Sequence, residues 1–74
     1  MNDGEFRIRT YGFGELAQLY MPNISSKSAS ARLRAWIERN EALHCELLET
    51  GFKKGLRTLT PEQVRLVVRF IGEP

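Results

Sequence analysis

The sequence predicts a mainly α domain of four short helices with a minor two-stranded sheet at about residues 5–9 and 56–59. Apolar residues recur at helical spacing in four stretches, the longest running from about Ser26 to Arg39. Capping and stop residues punctuate those stretches, and strand-like alternation is confined to the two short segments. The chain has 74 residues, 42% of them apolar and 27% charged, which predicts one small globular domain over residues 1–74.

Phe6 and Ile8 alternate with Glu5, Arg7 and Arg9, the pattern of a short half-buried strand. Tyr11-Gly12-Phe13-Gly14 ends it, because the two glycines allow a turn at positive φ. Gly14–Tyr20 then predicts a short helix burying Leu16, Ala17 and Tyr20. Pro22 limits that helix, since proline biases its predecessor toward extended geometry. Asn23, Ser25 and Ser26 are turn and N-cap formers. The second helix follows from Ser26 or Lys27 to about Arg39, with Ala29, Leu33, Trp36 and Ile37 as its apolar stripe. Asn40 closes this helix or caps a third at Glu41–Thr50, where Leu43, Leu47 and Leu48 form the expected buried face and Gly51 the stop. Phe52-Lys53-Lys54-Gly55 has turn chemistry, and Leu56–Leu59 has weak strand character. Thr60-Pro61-Glu62-Gln63 combines a capping threonine, proline at the first helical position and glutamine three residues after the cap. Val64, Val67, Val68 and Ile71 mark the buried face of this last helix, Gly72 ends it, and it is expected to pack back onto the core.

A domain of this size buries only about 60% of its unfolded surface, so its stability is expected to be marginal. Cys45 is the only cysteine and cannot form an internal bridge, which makes a homodimer a reasonable expectation. No apolar run approaches the roughly 20 residues that cross a membrane. The opening MNDGEFRIRT lacks the apolar core of a secretory signal, so a cytoplasmic location is expected.

The net charge of +2 is too small to argue for nucleic acid, but its distribution is uneven. Residues 25–39 carry Lys27, Arg32, Arg34 and Arg39 against Glu38, and residues 51–60 carry Lys53, Lys54 and Arg57 with no acid. Between them lie Glu41, Glu46 and Glu49. If the fold joins the two basic blocks, their combined field attracts phosphate.

The order strand, helix, turn, helix, helix, strand-like wing, helix contains the plan of a small winged-helix-like helix-turn-helix domain. Its connection, Met21–Ser25, is slightly longer than the usual three or four residues. Lys27, Ser30 and Arg34 lie about a turn apart on one side of the second helix, suited to base-edge and phosphate contact, and Arg34 suits bidentate contact with guanine. Ser25, Ser26 and Ser28 suit phosphate contact near the helix N-terminus. Lys53, Lys54 and Arg57 fall on the proposed wing, where a hairpin with two lysines at its tip suits phosphate contact. Against these readings stand a solvated helix face with capping serines and a solubilising loop. Arg7 and Arg9 read as edge charges that discourage strand pairing more than as part of a patch. Trp36, at core spacing with Leu33 and Ile37, reads as core packing more than as a stacking platform. Phe70 lies off the main stripe of the last helix and is the candidate contact for a dimer or protein partner.

An enzyme is not expected. His44 and Cys45 are adjacent and point about 100° apart on a helix. There is no second histidine or cysteine to complete a catalytic or metal constellation, and no phosphate-binding glycine signature, so no cofactor and no metal are expected.

Arg9-Thr10-Tyr11-Gly12-Phe13-Gly14-Glu15-Leu16-Ala17 resembles the opening of mercury-resistance-regulator-type winged helices. Arg57-Thr58-Leu59-Thr60-Pro61-Glu62-Gln63-Val64 resembles the end of their wing, and Arg32-Leu33-Arg34-Ala35-Trp36-Ile37 falls where they carry the rest of the recognition helix. The likeness spans roughly residues 8–71, but Glu41–Thr50 intervenes as an additional acidic helix and no long C-terminal dimerisation helix follows. It implies the DNA-binding part alone, as in phage excisionase-like proteins. Over its full length the chain is more similar to a family of gut anaerobes, the domain of unknown function numbered 4248. Arg9-Thr10-Tyr11-Gly12, Glu15 to Tyr20, the Trp36-Ile37 pair and Thr60 to Arg65 through Gly72-Glu73-Pro74 carry that likeness. It implies no particular activity.

The sequence therefore predicts binding of double-stranded DNA, sequence-specific or architectural and regulatory in role, through Ser26, Lys27, Ser30, Arg34, Lys53, Lys54 and Arg57. The alternative is a protein-interaction module using the acidic helix at 41–50 and the last helix, without nucleic acid.

Overall fold

The computed structural model describes residues 6–74. Helix α1 spans Phe13–Tyr20, α2 Ser26–Arg39, α3 Glu41–Glu49 and α4 Pro61–Ile71. Strands β1, Tyr11–Gly12, and β2, Thr58–Leu59, form an antiparallel pair with Tyr11 opposite Leu59 and Gly12 opposite Thr58. This is the mainly α class the sequence predicts, and its shape is consistent with a winged helix. No helix among the described residues is long and apolar enough to cross a membrane.

Each helix begins where its capping chemistry lies. The Ser25 hydroxyl oxygen accepts the Ser28 N–H at 3.1 Å to open α2. Asn40 serves both sides of a one-residue joint. Its N–H donates to the Trp36 and Ile37 carbonyls at the end of α2, and its side-chain oxygen accepts the Leu43 N–H at 3.1 Å to open α3. Gly51, at φ +94°, ends α3 in the left-handed region that favours glycine. At α4 the Thr60 N–H donates to the Gln63 side-chain oxygen Oε1 at 2.9 Å, and the Gln63 backbone N–H donates to the Thr60 hydroxyl oxygen at 3.2 Å. The expected capping box is therefore complete. Gln63 is also buried, and its amide donates to the Thr50 hydroxyl at 2.9 Å, tying the start of α4 to the end of α3.

The core collects Leu16 and Ala17 from α1, Ala29, Leu33 and Ile37 from α2, Leu43 and Leu47 from α3, and Val64 and Val67 from α4. Tyr11, Phe13, Phe52 and Leu59 complete it from the strands and the ends of helix and loop. α1 packs on α2, α2 on α3, and α3 on α4, so the helices follow one another around this core.

The sheet departs from the sequence expectation. Residues 6–10 form no strand, Glu5 lies outside the described residues, and the partner of β2 is Tyr11–Gly12. Burial decides this register: Tyr11 and Leu59 face each other inside the core, whereas Ile8 is exposed. The preceding segment folds back over Tyr11. The Tyr11 hydroxyl donates to the Arg7 carbonyl at 2.9 Å, and the Phe6 ring stacks on the Tyr11 ring at 5.5 Å. Arg9 is not an edge charge of a strand. Its guanidinium lies 3.8 Å from the Tyr11 ring centre and pairs with Glu15 at 3.0 Å. This pairing, with the Gly12 N–H bonded to the same carboxylate, holds Glu15 below its usual pKa.

Several apolar residues also differ. Ala29, Leu33 and Ile37 are spaced by four along α2, while Trp36 sits at the edge of that stripe, 36% exposed, edge-on to Tyr20 at 6.0 Å. On α3, Leu43 and Leu47 share the inner face, and Leu48, one position further round, is 50% exposed. Val68 and Ile71 are half-buried at the margin of the core, as is Phe70, which leaves less of that ring for a partner.

Replacing Gln63 by alanine breaks the capping box and the bond from its amide to the Thr50 hydroxyl, which keeps only its own bond to the Leu47 carbonyl, so a loss of about 2 kcal/mol is expected in urea denaturation. Tyr20 yields a pH dependence. Half-buried, near Glu73 and donating to the Gly72 carbonyl, its phenol is pushed up to about 12, burial being the larger cause. The folded state therefore holds this proton more tightly than the unfolded chain, with its pKa of about 10. The stabilisation is complete below pH 10 and is lost as pH rises through about 12. Absorbance titration of tyrosinate is expected to show a late component near pH 12 that Tyr20→Phe removes.

Candidate nucleic-acid interface

Ser26, Lys27, Ser30 and Arg34 lie along one flank of α2, and Lys53, Lys54 and Arg57 lie on the loop between α3 and β2. The fold brings the two sets together around two adjoining grooves. One is lined by Ser26, Lys27, Ser30, Arg34 and Arg57. The other, of about 310 Å³, has Arg34, Lys53 and Lys54 at an otherwise largely apolar wall. Phe13, Arg34, Gly55 and Leu56 belong to both, so Arg34 stands at their junction. Its guanidinium lies 5.3 Å from the centre of the buried Phe13 ring. That contact favours a fixed position for this half-buried side chain.

The loop is shaped by local chemistry and held by distant bonds. The Leu56 N–H donates to the Lys53 carbonyl at 3.1 Å, and Gly55 takes φ +87°, so Lys54-Gly55 forms the centre of a tight turn. The expected wing hairpin is absent, because β2 pairs with β1 far earlier in the chain and not with a neighbouring strand. What presents Lys53 and Lys54 is this single turn. At the far end of the loop, the Arg57 carbonyl accepts the Phe13 N–H at 2.7 Å. That bond satisfies one of the free donors at the start of α1 and draws Arg57 toward α2.

The acidic residues of α3 do not separate the two basic blocks. Glu46 and Glu49 turn to a surface shared with Glu62, Arg65 and Arg69, and Glu41 lies beside Trp36 and Arg39. α3 meets the groove through His44 and Leu48, and Glu38 is the carboxylate among the groove's lining residues. Among the described residues, none of Lys27, Arg34, Lys53, Lys54 and Arg57 is ion-paired.

Ser26 and Ser30 also serve packing. A Cβ on Gly14 would lie 2.9 Å from the Ser26 hydroxyl oxygen and 3.2 Å from that of Ser30. Glycine on α1 and serines on α2 thus permit the close approach of the two helices. Spacing along α2 alone does not reveal this duty, since the partner lies on another helix. The groove residues Phe13, His44, Leu48 and Leu56 were likewise not legible as site residues. Their signals, buried-face periodicity and isolated polarity, are those of ordinary core and surface.

The chain matches the family described as Domain of unknown function (DUF4248) over residues 7–74. It belongs to that family. The match takes in every basic residue at the two grooves. No curated protein and no solved structure matches the chain.

Gly14→Val is expected to cost about 1–3 kcal/mol in thermal or urea denaturation, because its branched side chain meets both serines. Gly14→Ala is expected to lose much less, since the serine hydroxyls can rotate and alanine favours the helix.

Proposed function

We propose that this domain binds double-stranded DNA, in a regulatory or architectural role within the cytoplasm. The single observation that carries the reading is the meeting of Lys27, Arg34, Lys53, Lys54 and Arg57 around two grooves that share Arg34, with the α3 glutamates turned elsewhere. In this reading the flank of α2 enters the major groove. Arg34 reaches a base edge, for which a guanidinium suits guanine. Lys53 and Lys54, on their turn, contact phosphate across the groove, while Lys27 and the Ser26 hydroxyl contact phosphate near the start of α2. Arg57 lies between them at the foot of the loop. Ser30, half-buried against α1, fixes the height of α2 more than it reads sequence. The helix-turn-helix plan that the sequence suggests for α1 and α2 supports the same reading by analogy.

A fluorescence-polarisation titration of a labelled mixed-sequence duplex tests it. With roughly four phosphate contacts, affinity is expected to fall about a hundredfold between about 50 and about 200 mM salt. Arg34→Ala is expected to weaken binding about tenfold or more, and Lys27→Ala to weaken it uniformly across sequences while lowering the salt slope. Absence of binding to any duplex at about 20 mM salt, where phosphate attraction is strongest, overturns the proposal. The surface where Glu46 and Glu49 of α3 meet Glu62, Arg65 and Arg69 of α4 then becomes the first place to seek a protein partner.

A further inference from the structure

We propose that the groove between α2, α3 and the 52–56 loop is a binding site for a small amphiphilic anion: an aromatic or short aliphatic body bearing one carboxylate. Its floor is carbon, made by the buried Phe13, Ile37 and Phe52, and its sides are Leu48 and Leu56. Leu48 is half-exposed although it belongs to a helix whose other leucines at the core are fully covered, and it is exposed at this groove. An apolar concavity with a few convergent polar groups is the usual form of a small-ligand site, and about 310 Å³ lies at the small end of that range.

Size and charge select the occupant. A docked amphipathic helix inserts several apolar side chains spaced along its length, more than a groove of this volume accepts. One ring or short chain fills it. At the mouth stand Arg34, Lys53 and Lys54, none of them ion-paired among the described residues. Arg34 is held over Phe13 and offers the planar fork that takes a carboxylate in two parallel hydrogen bonds. The turn bonded from Leu56 to Lys53 keeps both lysines beside it. The lining sets Arg34, Lys53 and Lys54 against the single carboxylate of Glu38, so positive charge is left over for the carboxylate of an occupant. The site shares cations with the proposed DNA contact but does not rest on it. If both hold, an occupant weakens duplex binding by covering Arg34 and the lysines.

The test uses 1-naphthoate as probe and the neutral 1-naphthalenemethanol as its control, each titrated into the full 74-residue chain and followed by amide NMR shifts. Saturable shifts are expected for naphthoate at Phe13, Leu48, Phe52, Gly55 and Leu56, with the alcohol about tenfold weaker because it lacks the charge-assisted bonds. Leu48→Gln, at a half-exposed position and checked for an unchanged melting temperature, is expected to weaken naphthoate about fivefold. Lys27→Ala, outside this groove, is expected to leave naphthoate binding unchanged whatever it does to DNA. Equal affinity for the two probes, shifts scattered away from the groove, or no saturation overturns the proposal. Saturable binding of a short acidic peptide with no binding of naphthoate also overturns it, in favour of a protein partner.

Discussion

The buried amide of Gln63 holds the two ends of the basic loop, and the position of half the candidate interface depends on it. The loop leaves α3 at Thr50 and enters α4 at Thr60. Gln63 bonds the side chain of the first and the backbone of the second, closing residues 51–59 into a fixed span. Between those anchors, the Arg57 carbonyl bonded to Phe13 and the burial of Phe52 and Leu59 fix two more points. The turn bearing Lys53 and Lys54 has little freedom left, and it faces α2. A loop tethered only at its covalent ends would spread those charges through solvent and lose much of their combined field.

The other half of the interface depends on how closely α1 and α2 meet. Gly14 against Ser26 and Ser30 sets that distance, and the Phe13 ring at the start of α1 supports Arg34. The same few atoms thus join packing to charge. Asn40 adds a further constraint, because a one-residue joint makes α3 turn sharply away from α2. That turn carries Glu46 and Glu49 to the α4 side and leaves His44 and Leu48 at the groove. An acidic stretch between two basic ones in the chain thus turns its glutamates away from the basic groove, with Glu46 and Glu49 beside Glu62, Arg65 and Arg69. Such segregation is what phosphate attraction requires in a domain whose net charge is only +2.

Much of this architecture was legible in the sequence because its signals are local. Ser25, Asn40 and Thr60 cap the helices they are expected to cap, and Gly51 and Gly72 end theirs at positive φ. The Ala29-Leu33-Ile37 and Leu43-Leu47 stripes are buried. Where signals compete at similar strength, the reading from spacing failed. Phe6 and Ile8 alternate as a strand does, yet Tyr11 pairs with Leu59 because that register buries both. Trp36 and Leu48 each sit one step around a helix from the buried stripe, and a hydrophobic identity alone does not tell an edge from a centre.

By itself the sequence determined the helices, their caps and stops, the class of the fold and the two basic blocks, because each depends on residues within a turn or two of one another. Only the tertiary structure decided that those blocks meet at Arg34, that the acidic residues of α3 face elsewhere, and that an apolar groove opens beneath the lysines. These depend on contacts between residues far apart in the chain: Phe13 with Arg34, Phe13 with Arg57, and Gln63 with Thr50. Such pairings are set by the geometry of the closed core, which no local period records.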